Sequence, residues 1–141
     1  MIKKIPPETE CYHFYNENPK NKRSGDCVFR AISLATEIDW DTVLDNLVSY
    51  AHKYKQSPNE KRCYEKYLKD NGWVKMSQPR KDDGTKYTGK EFCRLLKKTG
   101  ASRRIVAHIG AHHLIAVIDY KIWDIWDSSD GCVGNYWVKQ D

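Results

Sequence analysis

Apolar residues recur at helical spacing through the first two-thirds of the chain and at strand spacing through the last third. Phe29, Ile32, Leu34 and Ala35 form a stripe on a helix that starts at Cys27 and ends near Thr36–Glu37. Trp40, Val43, Leu44, Leu47, Val48 and Ala51 predict a second helix, with Asp39 as its N-cap. Ser57-Pro58-Asn59-Glu60 reads as a capping box with proline at the first helical position; it opens a third helix through Tyr64, Tyr67 and Leu68 to Asn71-Gly72. Thr88-Gly89-Lys90-Glu91 is a second capping box, opening a fourth helix with Phe92, Leu95 and Leu96 inside and Gly100 as its stop. Trp73–Met76 is a short strand or an extended linker.

From Arg104 the period shortens. Residues 104–109, 113–119, 122–127 and 132–138 read as strands, with a turn at Gly110-Ala111 and a tight connection around Tyr120-Lys121. Residues 1–23, carrying Pro6, Pro7 and Pro19, read as an irregular lead-in pinned by Tyr12, Phe14 and Tyr15. Helices first and antiparallel strands last predict an α+β fold of two layers, spanning 1–141 as one domain.

Composition narrows the class. With 40% hydrophobic and 12% aromatic residues, five of them Trp and nine Tyr, the chain has material for one packed core. The net charge of +5 is spread among interleaved acids, and no aromatic nucleic-acid platform accompanies it, so a nucleic-acid partner is not expected. No apolar run reaches the roughly 20 residues of a membrane span, and Met1–Pro7 lacks a signal-peptide apolar core. Five widely spaced cysteines without a C-x-x-C pair suggest neither a disulfide framework nor a zinc knuckle. A cytoplasmic location is the expectation.

Chemistry centres on Cys27. Gly25 allows a sharp entry to its helix, and Ser24 or Asp26 is placed to cap it. A thiol in the first helical turn feels the positive end of the macrodipole, which favours the thiolate. A cysteine nucleophile also needs a base and a group to orient that base. His112-His113 supply the base, and Asp119, Asp124 and Asp127 are the acids near it. A three-residue hairpin loop sets Asp127 directly opposite His113; a two-residue loop makes a diagonal His112–Asp127 pair the better choice. In this reading Asp124 falls on the opposite face, alternating outward between Trp123 and Ile125. His108 has no chemical role, and Trp123, Trp126, Tyr136 and Trp137 are core or rim aromatics, some lining a cleft between helices and sheet. His112, His113, Asp127 and Cys132 lack metal-ligand spacing, and neither a metal nor a cofactor is called for.

Taken together, Cys27 on a core helix, His113 opening a strand in His113–Tyr120, and Asp127 in Trp126-Asp127-Ser128 resemble the papain-like cysteine peptidase superfamily. The segment Gly25–Ser33 is similar to the nucleophile segment of ovarian-tumour-type deubiquitinases, and Asn18–Ile32 resembles small peptidase-like proteins of prophages. The resemblance implies N-terminal helices packed on a C-terminal antiparallel sheet. It also implies a Cys27–His113–Asp127 triad cleaving a peptide or isopeptide bond in a protein or peptide substrate. Asn21, six residues before Cys27, stands at the offset where many members keep the side-chain amide of their oxyanion hole. Acyl transfer or amide cleavage on the same scaffold, and an inactive binding protein such as a phage factor acting on a host protein, are the other functions this resemblance allows. Oligomeric state and specificity are not written in the sequence.

Overall fold

The computed structural model describes residues 4–140; Met1–Lys3, the start of the stretch read for leader character, and Asp141 lie outside the described residues. In chain order the elements are β1 (Tyr12–Phe14), α1 (Cys27–Thr36), α2 (Trp40–Tyr54), α3 (Lys61–Asp70) and β2 (Trp73–Met76), followed by α4 (Gly89–Thr99), β3 (Arg104–Ile109), β4 (His113–Ile118), β5 (Lys121–Asp124) and β6 (Val133–Lys139). The class is α+β. Six strands form one sheet in the order β1-β5-β4-β3-β6-β2.

The sheet carries a core on each face. On one side Ile32, Leu47, Tyr67 and Leu68 of α1–α3 pack against Val106, Leu114, Ala116 and Trp137. On the other, Phe92 and Leu96 of α4 pack against Ile105, Ala107, Ile115, Val117 and Ile122. Alternate residues of β3 and β4 therefore serve opposite cores, the period-2 consequence of a sheet buried on both faces. This corrects the two-layer expectation: β3 and β4 are apolar on both faces, so both faces need cover.

The sheet is also mixed rather than purely antiparallel. Tyr12, His13 and Phe14 run parallel to β5, opposite Ile122, Trp123 and Asp124. The lead-in read as irregular thus contributes an edge strand, too short to show periodicity. Trp73–Met76 is the other edge, antiparallel to β6.

Helix boundaries follow their caps. Asp39 caps α2 by accepting from the Thr42 N–H at 3.1 Å, and Thr88 and Glu91 form the reciprocal box of α4. The third helix starts later than its Ser57 signal, at Lys61 after Glu60; Ser57 to Glu60 instead close a preceding turn.

The β4–β5 connection positions the site. Ile118 pairs with Lys121, so the loop is only Asp119-Tyr120. Both residues have positive φ, +48° and +69°, the twist that matches a two-residue hairpin. A tyrosine is strained there; its hydroxyl donates to Ala101 O at 3.1 Å, and the Asp119 N–H donates to Arg103 O at 2.8 Å, which hold the turn in place.

Thr88→Ala should lower the unfolding free energy by about 1 kcal/mol, because it removes an N-cap acceptor. Urea denaturation reads this directly, and an unchanged midpoint would show that the box does not hold α4.

Candidate active site

Cys27 is half-buried at the first position of α1, and Asp26 occupies the N-cap position. Neither capping candidate caps by its side chain: Ser24 is exposed, and the Asp26 carboxylate is engaged elsewhere. Asp26 accepts from Asn18 Nδ2 at 3.0 Å, Trp40 Nε1 at 3.1 Å and Arg30 Nε at 2.8 Å. Among the described residues no side chain at the N-cap position accepts from the first turn of α1, which begins with the Cys27 N–H.

His113 enters from the start of β4. Its ring stands close enough to the Cys27 thiol for the two to shift each other's ionisation, and its Nε2 lies 2.6 Å from Asp124 Oδ2. With Nε2 so engaged, Nδ1 is the nitrogen left to face the thiol. The Trp126 indole leans on the imidazole, ring centroids 4.8 Å apart. His113 keeps 16% of its side chain exposed and Asp124 only 2%.

Asp124 is bridged in turn by Arg30 Nη1, so Asp26, Arg30, Asp124 and His113 form one hydrogen-bonded chain that ends beside Cys27. Tyr12 fixes the Asp124 main chain from β1, its hydroxyl donating to the carbonyl at 2.9 Å.

The ionisations follow from these contacts. Burial works against a Cys27 thiolate, but the His113 hydrogen bond, the Leu114 N–H and the charges of His113 and Arg30 outweigh it, holding the thiol below its ordinary value. Burial likewise disfavours a His113 imidazolium. The hydrogen bonds to Asp124 and Cys27, reinforced by their charges, overcome it and raise His113 to about 9. Asp26 is buried too, yet its bonds from Asn18, Arg30 and Trp40 keep its carboxyl below the usual range.

Of the residues expected at the site, the structure brings Cys27 and His113 together and gives His113 another acid in place of Asp127. Asp127 does not orient His113; it is exposed, and its Oδ1 accepts from the Ser129 N–H at 2.9 Å. The reason is the hairpin loop. Ala116 pairs with Trp123, and continuing that register by one step sets Asp124 across from Ile115, on the face His113 shares. A three-residue loop would have given that face to Asp127; with two residues the parity reverses. Asp124, expected to point outward, is instead the buried partner. His112, the other base considered, is exposed in the β3–β4 loop.

Asn21 is exposed in a turn of positive φ (+53°), its N–H donating to Asn18 O. Its side-chain amide hydrogen-bonds none of the described residues. The buried amide of this loop is that of Asn18, which donates to Asp26.

Arg30 was not singled out from the sequence. The signal available was its i, i+4 spacing from Asp26 on an otherwise apolar helix face. Among the described residues no group of three or more His, Cys, Asp or Glu is placed to hold a metal ion, and no helix is long and apolar enough to cross a membrane. Comparisons with protein-family models, with curated proteins and with solved structures return no match.

Removing Arg30 should strand two buried carboxylates. Arg30→Met is expected to cost about 3–5 kcal/mol of stability, read as a lowered urea midpoint. A loss below about 1 kcal/mol would mean that Asp26 and Asp124 are solvated without it.

Proposed function

We propose that this protein is a cysteine-nucleophile hydrolase of papain-like type that cleaves a peptide or isopeptide bond, with Cys27 as nucleophile, His113 as base and acid, and Asp124 as the orienting carboxylate. One observation carries the reading: a helix-borne, half-buried thiol stands beside a strand-borne histidine whose Nε2 is held by a buried carboxylate. A packing cysteine needs no such chain, and Cys11, Cys63 and Cys93, all buried, have their thiols pushed up instead.

The chemistry runs from the ion pair. The Cys27 thiolate attacks the scissile carbonyl carbon, and the charge that develops on oxygen meets the Cys27 backbone N–H at the start of α1. As the tetrahedral intermediate collapses, the C–N bond breaks and His113 Nδ1 gives its proton to the departing nitrogen. Asp124 on Nε2 fixes the tautomer and stabilises the imidazolium. Water, deprotonated by the now neutral His113, then attacks the thioester carbonyl, and the C–S bond breaks to restore the thiolate. An amine in place of water gives acyl transfer.

Iodoacetamide alkylation tests the centre, with the exposed Cys132 as internal comparator. At pH 6.5 Cys27 should react faster than Cys132, since a lowered thiol holds more of the reactive thiolate. In His113→Ala the thiol keeps its burial but loses its partner, so its ionisation moves upward and the advantage disappears; His112→Ala retains it. Equal, slow labelling of both cysteines in the native chain would sink the nucleophile reading and leave a binding protein.

The pH dependence has two limbs. Thiolate forms as pH rises through the lowered ionisation of Cys27, below the roughly 8.5 of a free cysteine. His113 holds its proton up to about 9. Turnover of a peptide substrate should therefore rise below pH 8.5 and fall through about 9, whereas alkylation, which needs no proton donor, does not fall. A turnover profile that keeps rising beyond pH 10 would remove His113 from the proton-donor role.

A further inference from the structure

A cavity of about 210 Å³ opens beside His113, between the β3–β4 loop and the β5–β6 loop. Its walls are apolar: Ile109, Gly110, Ala111 and the side of Trp126, itself 47% exposed. At about 30 Å³ per water it has room for a single side chain rather than a drug-sized ligand. No residue of α1 lines it. During the reaction the acyl group sits on the Cys27 sulfur at the α1 side, while the departing nitrogen takes its proton from His113. The cavity therefore lies on the side from which the amine leaves.

Two polar features mark it as more than a gap. Ser128, 5% exposed, lines the cavity wall, and its Oγ has no hydrogen-bond partner among the described residues. Asp127 and Asp130 stand at the rim. Asp130 is engaged by Lys90 Nζ at 2.7 Å, and the neighbouring Arg94 lies 3.7 Å from Glu10. Asp127 makes no ion pair among the described residues. One of its oxygens caps the loop through the Ser129 N–H, and the residue is exposed.

We propose that this cavity is the leaving-group subsite of the Cys27 centre and takes an aliphatic side chain ending in a cation, of the lysine or arginine kind, on the amine side of the scissile bond. The proposal rests on the nucleophile reading above. The apolar walls receive the methylene stem, and the carboxylate of Asp127 meets the cationic head.

Because the leaving-group site is also the site from which an amine attacks the acyl-enzyme, acceptor preference reports it. p-Nitrophenyl acetate acylates the thiolate: a C–S bond forms, the aryl ester C–O bond breaks, and p-nitrophenolate leaves. An added amine then attacks the thioester carbonyl. The C–N bond forms, the C–S bond breaks with its electron pair returning to sulfur, and the amine proton passes to His113 Nδ1. The α-amides of lysine, leucine and glutamate compete as acceptors, and the Nα-acetyl products are counted by mass spectrometry.

Lysine amide should exceed leucine amide by about fivefold, the scale of one exposed ion pair, with glutamate amide last. Asp127→Asn keeps an oxygen to cap Ser129 and removes the charge, so the lysine-to-leucine ratio should fall to about one. This ratio does not depend on how fast the enzyme is acylated. If acetyl-Cys27 forms but the native ratio is near one, or Asp127→Asn leaves it unmoved, the subsite is overturned and the nucleophile reading stands. If p-nitrophenolate release is the same in Cys27→Ser, the nucleophile reading fails and the subsite fails with it.

Discussion

A guanidinium buried between two carboxylates sets the terms for this structure. Arg30 is 4% exposed, with Asp26 one turn earlier on its own helix and Asp124 on β5. Three charges taken out of water are costly, and the cost is offset only by close, mutually satisfying geometry. That geometry cannot be met unless α1 lies across the end of β5 at one height and one rotation. Asp26 extends the constraint to the preceding loop through Asn18 and to α2 through Trp40. The helix carrying the thiol and the strand carrying the orienting acid are thereby fixed to each other by a bond that tolerates little drift.

The same arrangement governs proton affinity. Asp124 divides its two oxygens, one toward Arg30 and one toward His113. The carboxylate that raises the histidine thus also meets a cation on its far side. The Trp126 ring against the imidazole and the low exposure of Asp124 limit solvent around these bonds, which strengthens them relative to water. Cys27 stands at the end of this chain, where burial alone would have made it inert.

Much of this was legible in the residues, and what was not has a common cause. Local signals were read well where one turn decides the outcome. Asp39 and Thr88 cap their helices, Gly100 ends α4, and the apolar spacing gave four helices and the order of the strands. Cys27 and His113 could be paired because a helix start and a strand start are both local features. The third member depended on whether a connection holds two residues or three, and Asp119-Tyr120 contains no glycine to announce a tight turn. One residue of loop length exchanges Asp127 for Asp124. The edge strand at Tyr12–Phe14 was hidden for a different reason: three residues carry no period, and its pairing with β5 is entirely non-local.

The span of those non-local contacts bears on how the protein is made. Arg30 and Asp124 are 94 positions apart, and Tyr12 and the Asp124 carbonyl 112. A ribosome synthesising this chain delivers the thiol long before the histidine and both strands of its hairpin. Until β4 has emerged, the nascent chain lacks the His113 and Leu114 contacts that lower the ionisation of Cys27, and of the causes named above only Arg30 is present. The parity of one late turn then decides whether the acid arrives on the correct face. The electrostatic surroundings of Cys27 are in this sense a property of the finished sheet: a truncated or stalled product would lack His113 beside the thiol and would carry an Asp26–Arg30 pair without the second carboxylate that completes it.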